Sequence, residues 1–131
     1  MEDNGSEVNT ILNLTQKLLD SISKKDWETY VSLVDEKCSS IEPETNNNYI
    51  EGLDFHKFYF DLPATSHMKV KENICQPNTK IFGEIAVITY RRLTQIYIQE
   101  VCEPKTVCSL ETRIWKKVDN GWKLIHFHRS N

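Results

Sequence analysis

The chain has 131 residues, 39% hydrophobic and 27% charged, with a formal net charge of −3. That length fits one domain with a single core. The charge gives no general attraction to nucleic acid or anionic membrane, no apolar run reaches the length of a membrane span, and the acidic start MEDNGSEVN argues against a secretory signal. A cytoplasmic protein is therefore expected. Its four cysteines are Cys38, Cys75, Cys102 and Cys108. In the cytosol they stay reduced, although Cys102 and Cys108 could meet across a hairpin. They form no C-x-x-C pair, so neither a metal nor a cofactor is expected.

Residues 1–5 read as a disordered tail and residues 6–131 as the single domain. Ser6 is placed to cap a helix over 7–23, along which Val8, Ile11, Leu12, Thr15, Leu18, Leu19 and Ile22 follow helical spacing. Lys24 and Lys25 suit its C-terminal end. Asp26 then caps a shorter helix carrying Trp27, Tyr30, Val31 and Val34, which makes an αα-hairpin. A short strand is expected within 39–44, ending near Pro43, followed by a loop over 45–48. In 52–60 the aromatics at 55, 58 and 59 fit a third helical segment packed on a core, although so short a run leaves a strand open.

The remainder reads as antiparallel sheet. A strand over 69–75 breaks at Pro77-Asn78, another begins at Lys80, and Gly83-Glu84 forms a turn or bulge. A long strand over 85–99 is rich in β-branched residues and tyrosine. Its even positions include Ala86, Ile88, Tyr90 and Arg92, and its odd positions Val87, Arg91, Leu93 and Tyr97. Both faces are partly apolar, so one is free to pack on the helices and the other on a second subunit. Helices first and strands later predict an α+β fold.

The last hairpin, LETRIWKKVDNGWKLIHFHRSN, carries Arg113 and Arg129. Arginine is costly to bury alone, so the pair lies either on a solvated face or in a cavity that expects an anion. A two-residue Asn120-Gly121 turn puts the two on opposite faces. A three-residue Asp119-Asn120-Gly121 turn puts them together, with Arg113 opposite Phe127, Trp115 opposite Ile125 and Glu111 opposite Arg129. His126 and His128 share a face, but no third metal ligand stands out.

Several blocks resemble one family. They are Glu42-Pro43-Glu44, the run from Glu51 to Phe60, Arg92-Leu93-Thr94-Gln95, Glu111 to Trp115, and His126 to Ser130. In this order and spacing they resemble the association (hub) domain of calcium/calmodulin-dependent protein kinase II. The resemblance implies a cone-like fold of the nuclear transport factor 2 type, with a long N-terminal helix in a strongly curved antiparallel sheet. It implies a non-catalytic role: a stacked ring of dodecameric or tetradecameric kind that holds kinase subunits together, either excised from a kinase or free-standing.

The resemblance further implies a pocket for a small carboxylate lined by Arg92, Arg113 and Arg129, with His56 beside them and Glu44 or Glu111 as compensating carboxylates. It requires both hairpin arginines on one face, hence the three-residue turn. The family's tryptophan after the Phe-Tyr-Phe block has no counterpart in Asp61-Leu62-Pro63-Ala64-Thr65. The rival expectations on the same fold are a small-molecule enzyme of isomerase or dehydratase kind and a carboxylate sensor. A cationic pocket without an isolated aspartate speaks against proton abstraction.

Overall fold

The structure, a computed structural model, describes residues 4–63 and 67–131. Helix α1 (Asn4–Ser23) lays Ile11, Thr15, Leu18 and Leu19 against the sheet, all fully buried. It begins before the expected Ser6 cap, so Asn4 and Gly5 are helical rather than tail; residues 1–3 lie outside the described residues. Its end is closed by two backbone bonds, from Lys25 N–H to the Ile22 carbonyl at 3.2 Å and from Asp26 N–H to the Ser21 carbonyl at 2.8 Å. Lys25 takes the left-handed conformation that such an end needs.

Asp26 caps α2 (Trp27–Leu33) as expected, its carboxylate accepting from the Thr29 backbone N–H. Val34, expected on that helix, instead opens β1 (Val34–Ile41). The strand expected within 39–44 is therefore earlier and longer, and Pro43–Thr45 forms a 3₁₀ turn. Next come β2 (Ile50–Glu51) and α3 (Asp54–Phe60), then β3 (Met68–Phe82), β4 (Ile85–Ile98), β5 (Pro104–Val118) and β6 (Gly121–Ser130). Together they form one curved, open six-stranded sheet in the order β2-β1-β6-β5-β4-β3.

The sheet departs from expectation in three places. It is not wholly antiparallel, because β1 runs parallel to β6. β3 does not break at Pro77-Asn78; a bulge between Cys75 and Asn78 absorbs the proline, with Gln76 at φ 53°. A proline is tolerated there because β3 is an edge strand, and the bulge together with exposed Lys69, Lys71 and Lys80 blunts that edge.

The third departure is the last hairpin. The turn is Asp119-Asn120, with Val118 paired to Gly121, and Asp119 rather than Gly121 takes the left-handed conformation. Trp115 faces Leu124, not Ile125. One residue further the register shifts, so that Arg113 faces Phe127 and Glu111 faces Arg129. Neither expected turn is present, yet the pairing expected of the three-residue turn is reached through a bulge at Ile125. The cause is burial. Trp122 and Leu124 enter the core from even positions and Phe127 from an odd one, and a strict alternation cannot bury all three.

α1 and α2 cover the inner face, where Ala86, Ile88, Trp115, Leu124 and Phe127 complete the core. α3 contributes mainly Phe60, whose ring lies 5.0 Å from Trp27 and 4.8 Å from Tyr30. Phe58 and Tyr59, expected on the core, are exposed. All four cysteines are free. No described helix is long and apolar enough to cross a membrane.

Gly52, which follows β2, has φ +95°, a conformation that a Cβ strains, and its N–H bonds to the Cys38 carbonyl at 2.9 Å. Gly52→Ala is expected to cost about 1–2 kcal/mol in urea unfolding, and an unchanged midpoint would show that this turn relaxes freely.

Candidate functional site

Between the sheet's inner face, the 3₁₀ turn and α3 lies a cavity of about 230 Å³. Its apolar wall is built from Ile22, Tyr30, Phe60 and Phe127, and its polar wall from Glu42, Glu44, His56, Arg92, Arg113 and Arg129. Five of the six residues expected at the site thus reach one cavity, and Glu111 lies beneath it, buried between two of the arginines.

The convergence follows from strand alternation. On β4 the even positions face inward, so Arg92 is buried while Arg91 is exposed. Tyr90, Glu111 and Arg129 stand in one cross-strand row of β4, β5 and β6. Arg113 sits two residues beyond Glu111 on the same face, opposite Phe127. Its guanidinium lies over the Phe127 ring, 4.5 Å from the centroid, a cation–π contact inside the core.

The arginines do not form a bare cationic pocket. The Glu111 carboxylate accepts from Arg92 Nη1 at 2.8 Å, from Arg113 Nε at 3.1 Å and from the Tyr90 hydroxyl, and Arg113 Nη2 lies 2.9 Å from it as an ion pair. Arg113 Nε also donates to the Tyr90 oxygen at 2.9 Å. Arg92 Nε donates to Glu72 at 2.6 Å, and Thr94 Oγ1 donates to the same carboxylate. Arg129 pairs with Glu44, and His56 with Glu42. Glu111 was expected to partner Arg129; it faces that residue in register but spends its carboxylate on the other two arginines.

The electrostatics match the wiring. Burial alone raises the Glu111 carboxyl, but Arg113, Arg92 and the hydrogen bonds from Tyr90 and Arg92 outweigh it and hold it at about 2. Burial lowers the affinity of Arg113 for its proton, yet Tyr90 and Glu111 more than offset this, so the guanidinium stays charged. The Tyr90 hydroxyl is pushed up by burial and remains a neutral donor. Cys38 is raised to about 12, also by burial. Two donors at the cavity have no partner among the described residues: Arg113 Nη1 and Arg129 Nε.

Glu72, Tyr90 and Glu42 were missed as members of this network. Tyr90 was legible, standing two residues before Arg92 on the same face. Glu72 was not, because its facing depends on the pairing of β3 with β4. His126 and His128 lie on the outer face. His126 Nδ1 is 2.7 Å from Ser39 Oγ, and among the described residues no group of three ligands could hold a metal. The loop that lacks the family's tryptophan falls partly outside the described residues, which omit Ala64 and Thr65.

Residues 7–131 match the family described as the calcium/calmodulin dependent protein kinase II association domain. The chain is similar to the alpha chain of that kinase from Drosophila melanogaster, 40% identical over 122 residues, and spans 92% of itself but 23% of that protein. It is similar in structure to the association domain of the Caenorhabditis elegans kinase, with a TM-score of 0.89 and 39% identity over 97% of both chains. The hub homology domain from Chlamydomonas reinhardtii gives 0.87 and 37%, over 93% of this chain and 95% of that one. A nuclear transport factor 2-like protein from Salmonella enterica, 20% identical with a TM-score of 0.78, shares the fold alone over 98% of this chain and 93% of its own. With a buried arginine–glutamate network inside a cone-like α+β fold and a family match over nearly its whole length, the chain belongs to the association (hub) domain family of calcium/calmodulin-dependent protein kinase II.

Proposed function

We propose that this chain assembles into a closed, stacked ring of dodecameric or tetradecameric type. The ring holds kinase subunits of the same family together, with the domain either fused to a kinase or free-standing, and the arginine-lined cavity takes a small carboxylate. The observation that carries the assembly reading is the family match over residues 7–131. The outer face of the sheet supports it. There Phe82, Val87, Leu93, Tyr97, Leu110 and Ile114 form an apolar strip that no described helix covers, with Phe82 and Leu110 at 62% and 47% exposure. A single subunit seldom leaves such a strip in water. Native mass spectrometry tests the reading: a species of ten or more subunits is expected, and a monomer or dimer overturns it.

The cavity reading rests on the unpartnered Arg113 Nη1 on a residue 2% exposed. A buried charged donor without an acceptor is costly, and a ligand carboxylate supplies one. Malonate or succinate is expected to raise the melting temperature of the wild type and to leave Arg113→Ala at its own baseline. Equal shifts in both proteins would remove Arg113 from the site. An isomerase-like enzyme is not favoured, because Glu111 is tied to three donors and carries no free base.

A further inference from the structure

We propose that Glu44 is a built-in competitor for this cavity: its carboxylate holds the place on Arg129 that an incoming small carboxylate must take. This inference rests on the reading of the cavity as an anion site and adds how that site is regulated.

The carboxylates of the network are not equivalent. Glu72 and Glu111 have side chains 2% and 0% exposed, and each accepts from more than one donor. They are fixed parts of the core. The Glu44 side chain is 36% exposed and takes Arg129 Nη2 alone. It stands on the 3₁₀ turn, whose backbone is tied down separately. Thr45 Oγ1 donates to the Asn48 carbonyl at 2.7 Å, and the Asn46 N–H reaches the Pro43 carbonyl at 2.9 Å. Releasing Glu44 therefore needs a side-chain rotation and no rearrangement of the turn.

The chemistry of Arg129 gives the release a reason. Nε and Nη2 form one edge of the guanidinium, the edge that grips a carboxylate with two parallel bonds. Glu44 uses one of the two, and Nε is left buried without a partner. A ligand carboxylate free of the turn can take both. It gains a second charge-assisted bond that Glu44 does not make, and displaces Glu44 in doing so.

The position fits this exchange. Glu44, Arg92 and Arg129 line the inner cavity, and the same three line a groove of about 590 Å³ on the far side, walled also by Thr94 and Val107. The Glu44–Arg129 pair, with Arg92, thus borders both spaces. Charge agrees as well. Four glutamates (42, 44, 72 and 111) oppose three arginines at the site, and withdrawing Glu44 brings the balance to three against three. An added anion is then no longer repelled by a fourth carboxylate.

The test is calorimetric titration of malonate into the full chain, in a buffer free of carboxylates, for the wild type, Glu44→Gln and Glu44→Gln/Arg129→Met. Gln keeps the shape of Glu44 and removes its charge. Glu44→Gln is expected to bind malonate about two- to fivefold more tightly than wild type, the size of one half-exposed ion pair that no longer has to be broken. The gain should vanish in the double variant. Binding in Glu44→Gln alone would also support the proposal. Equal or weaker binding in Glu44→Gln would overturn the competitor role while leaving the cavity an anion site. Absence of binding in both the wild type and Glu44→Gln would overturn the cavity reading and this inference together.

Discussion

Glu111→Ala is expected to destabilise the subunit by about 3–5 kcal/mol, the cost of leaving buried charges uncompensated. Glu111 is 3% exposed and is the shared acceptor of Arg92, Arg113 and Tyr90. Without it Arg113, 2% exposed, has no carboxylate partner among the described residues, while Arg92 keeps Glu72. For a domain of this length the loss corresponds to roughly 10–20 °C in melting temperature. Removing both charges distinguishes a pairing effect from a cavity effect. Glu111→Leu/Arg113→Leu should recover more than half of the loss, since a buried pair replaced by apolar groups is often neutral. A double variant as unstable as Glu111→Ala would show that packing, not charge, sets the cost.

The pH dependence has a definite sign. The Glu111 carboxyl sits at about 2 in the fold against an ordinary 4.5. A depressed carboxyl stabilises the folded state above its unfolded value and loses that contribution as the pH falls toward its folded value. The stability gap between wild type and Glu111→Gln should therefore be constant above pH 4.5 and narrow between about 4.5 and 2. The part of the gap that titrates is about 3 kcal/mol. A gap that does not change across that window would contradict the wiring.

Phe82→Asp/Leu110→Asp is expected to abolish the proposed ring while leaving the subunit folded. Both side chains lie on the outer sheet face, 62% and 47% exposed, so neither substitution opens the core. Each removes about 1.5–3 kcal/mol of apolar burial from an interface and places a carboxylate there instead. Closure repeats every interface, so the loss multiplies around a ring. Native mass spectrometry should report small species with an unchanged circular dichroism spectrum. A surviving ring would move the interface off this face.

Much of this molecule was legible in its residues. The spacing from Val8 to Ile22 places α1, Asp26 caps α2, and the alternation through Ala86, Ile88, Tyr90 and Arg92 marks the inward face of β4. These are local signals: a helix period, a side-chain cap and a strand period are each written in consecutive positions. The family blocks added the fold and the convergence of the arginines. The parallel pairing of β1 with β6 was not legible, because nothing in either strand encodes a partner about 90 residues away.

The final hairpin divides the two kinds of information most clearly. By itself the sequence determined that Trp122, Leu124 and Phe127 are large apolar residues needing burial, and that Arg113 and Arg129 need partners. Turn chemistry at Asp119-Asn120-Gly121 left the register open, and both readings assumed an unbroken ladder. Only the tertiary structure decided it. The core took Trp122 and Leu124 from one alternation and Phe127 from the other, and Ile125 bulged to reconcile them. The same packing fixed which carboxylate each arginine received: Glu111 went to Arg92 and Arg113, and Glu44 to Arg129. Charge partners are chosen by what the fold brings within about 3 Å, and that distance is set by the curvature of the sheet, the 3₁₀ turn and two bulges, not by spacing along the chain.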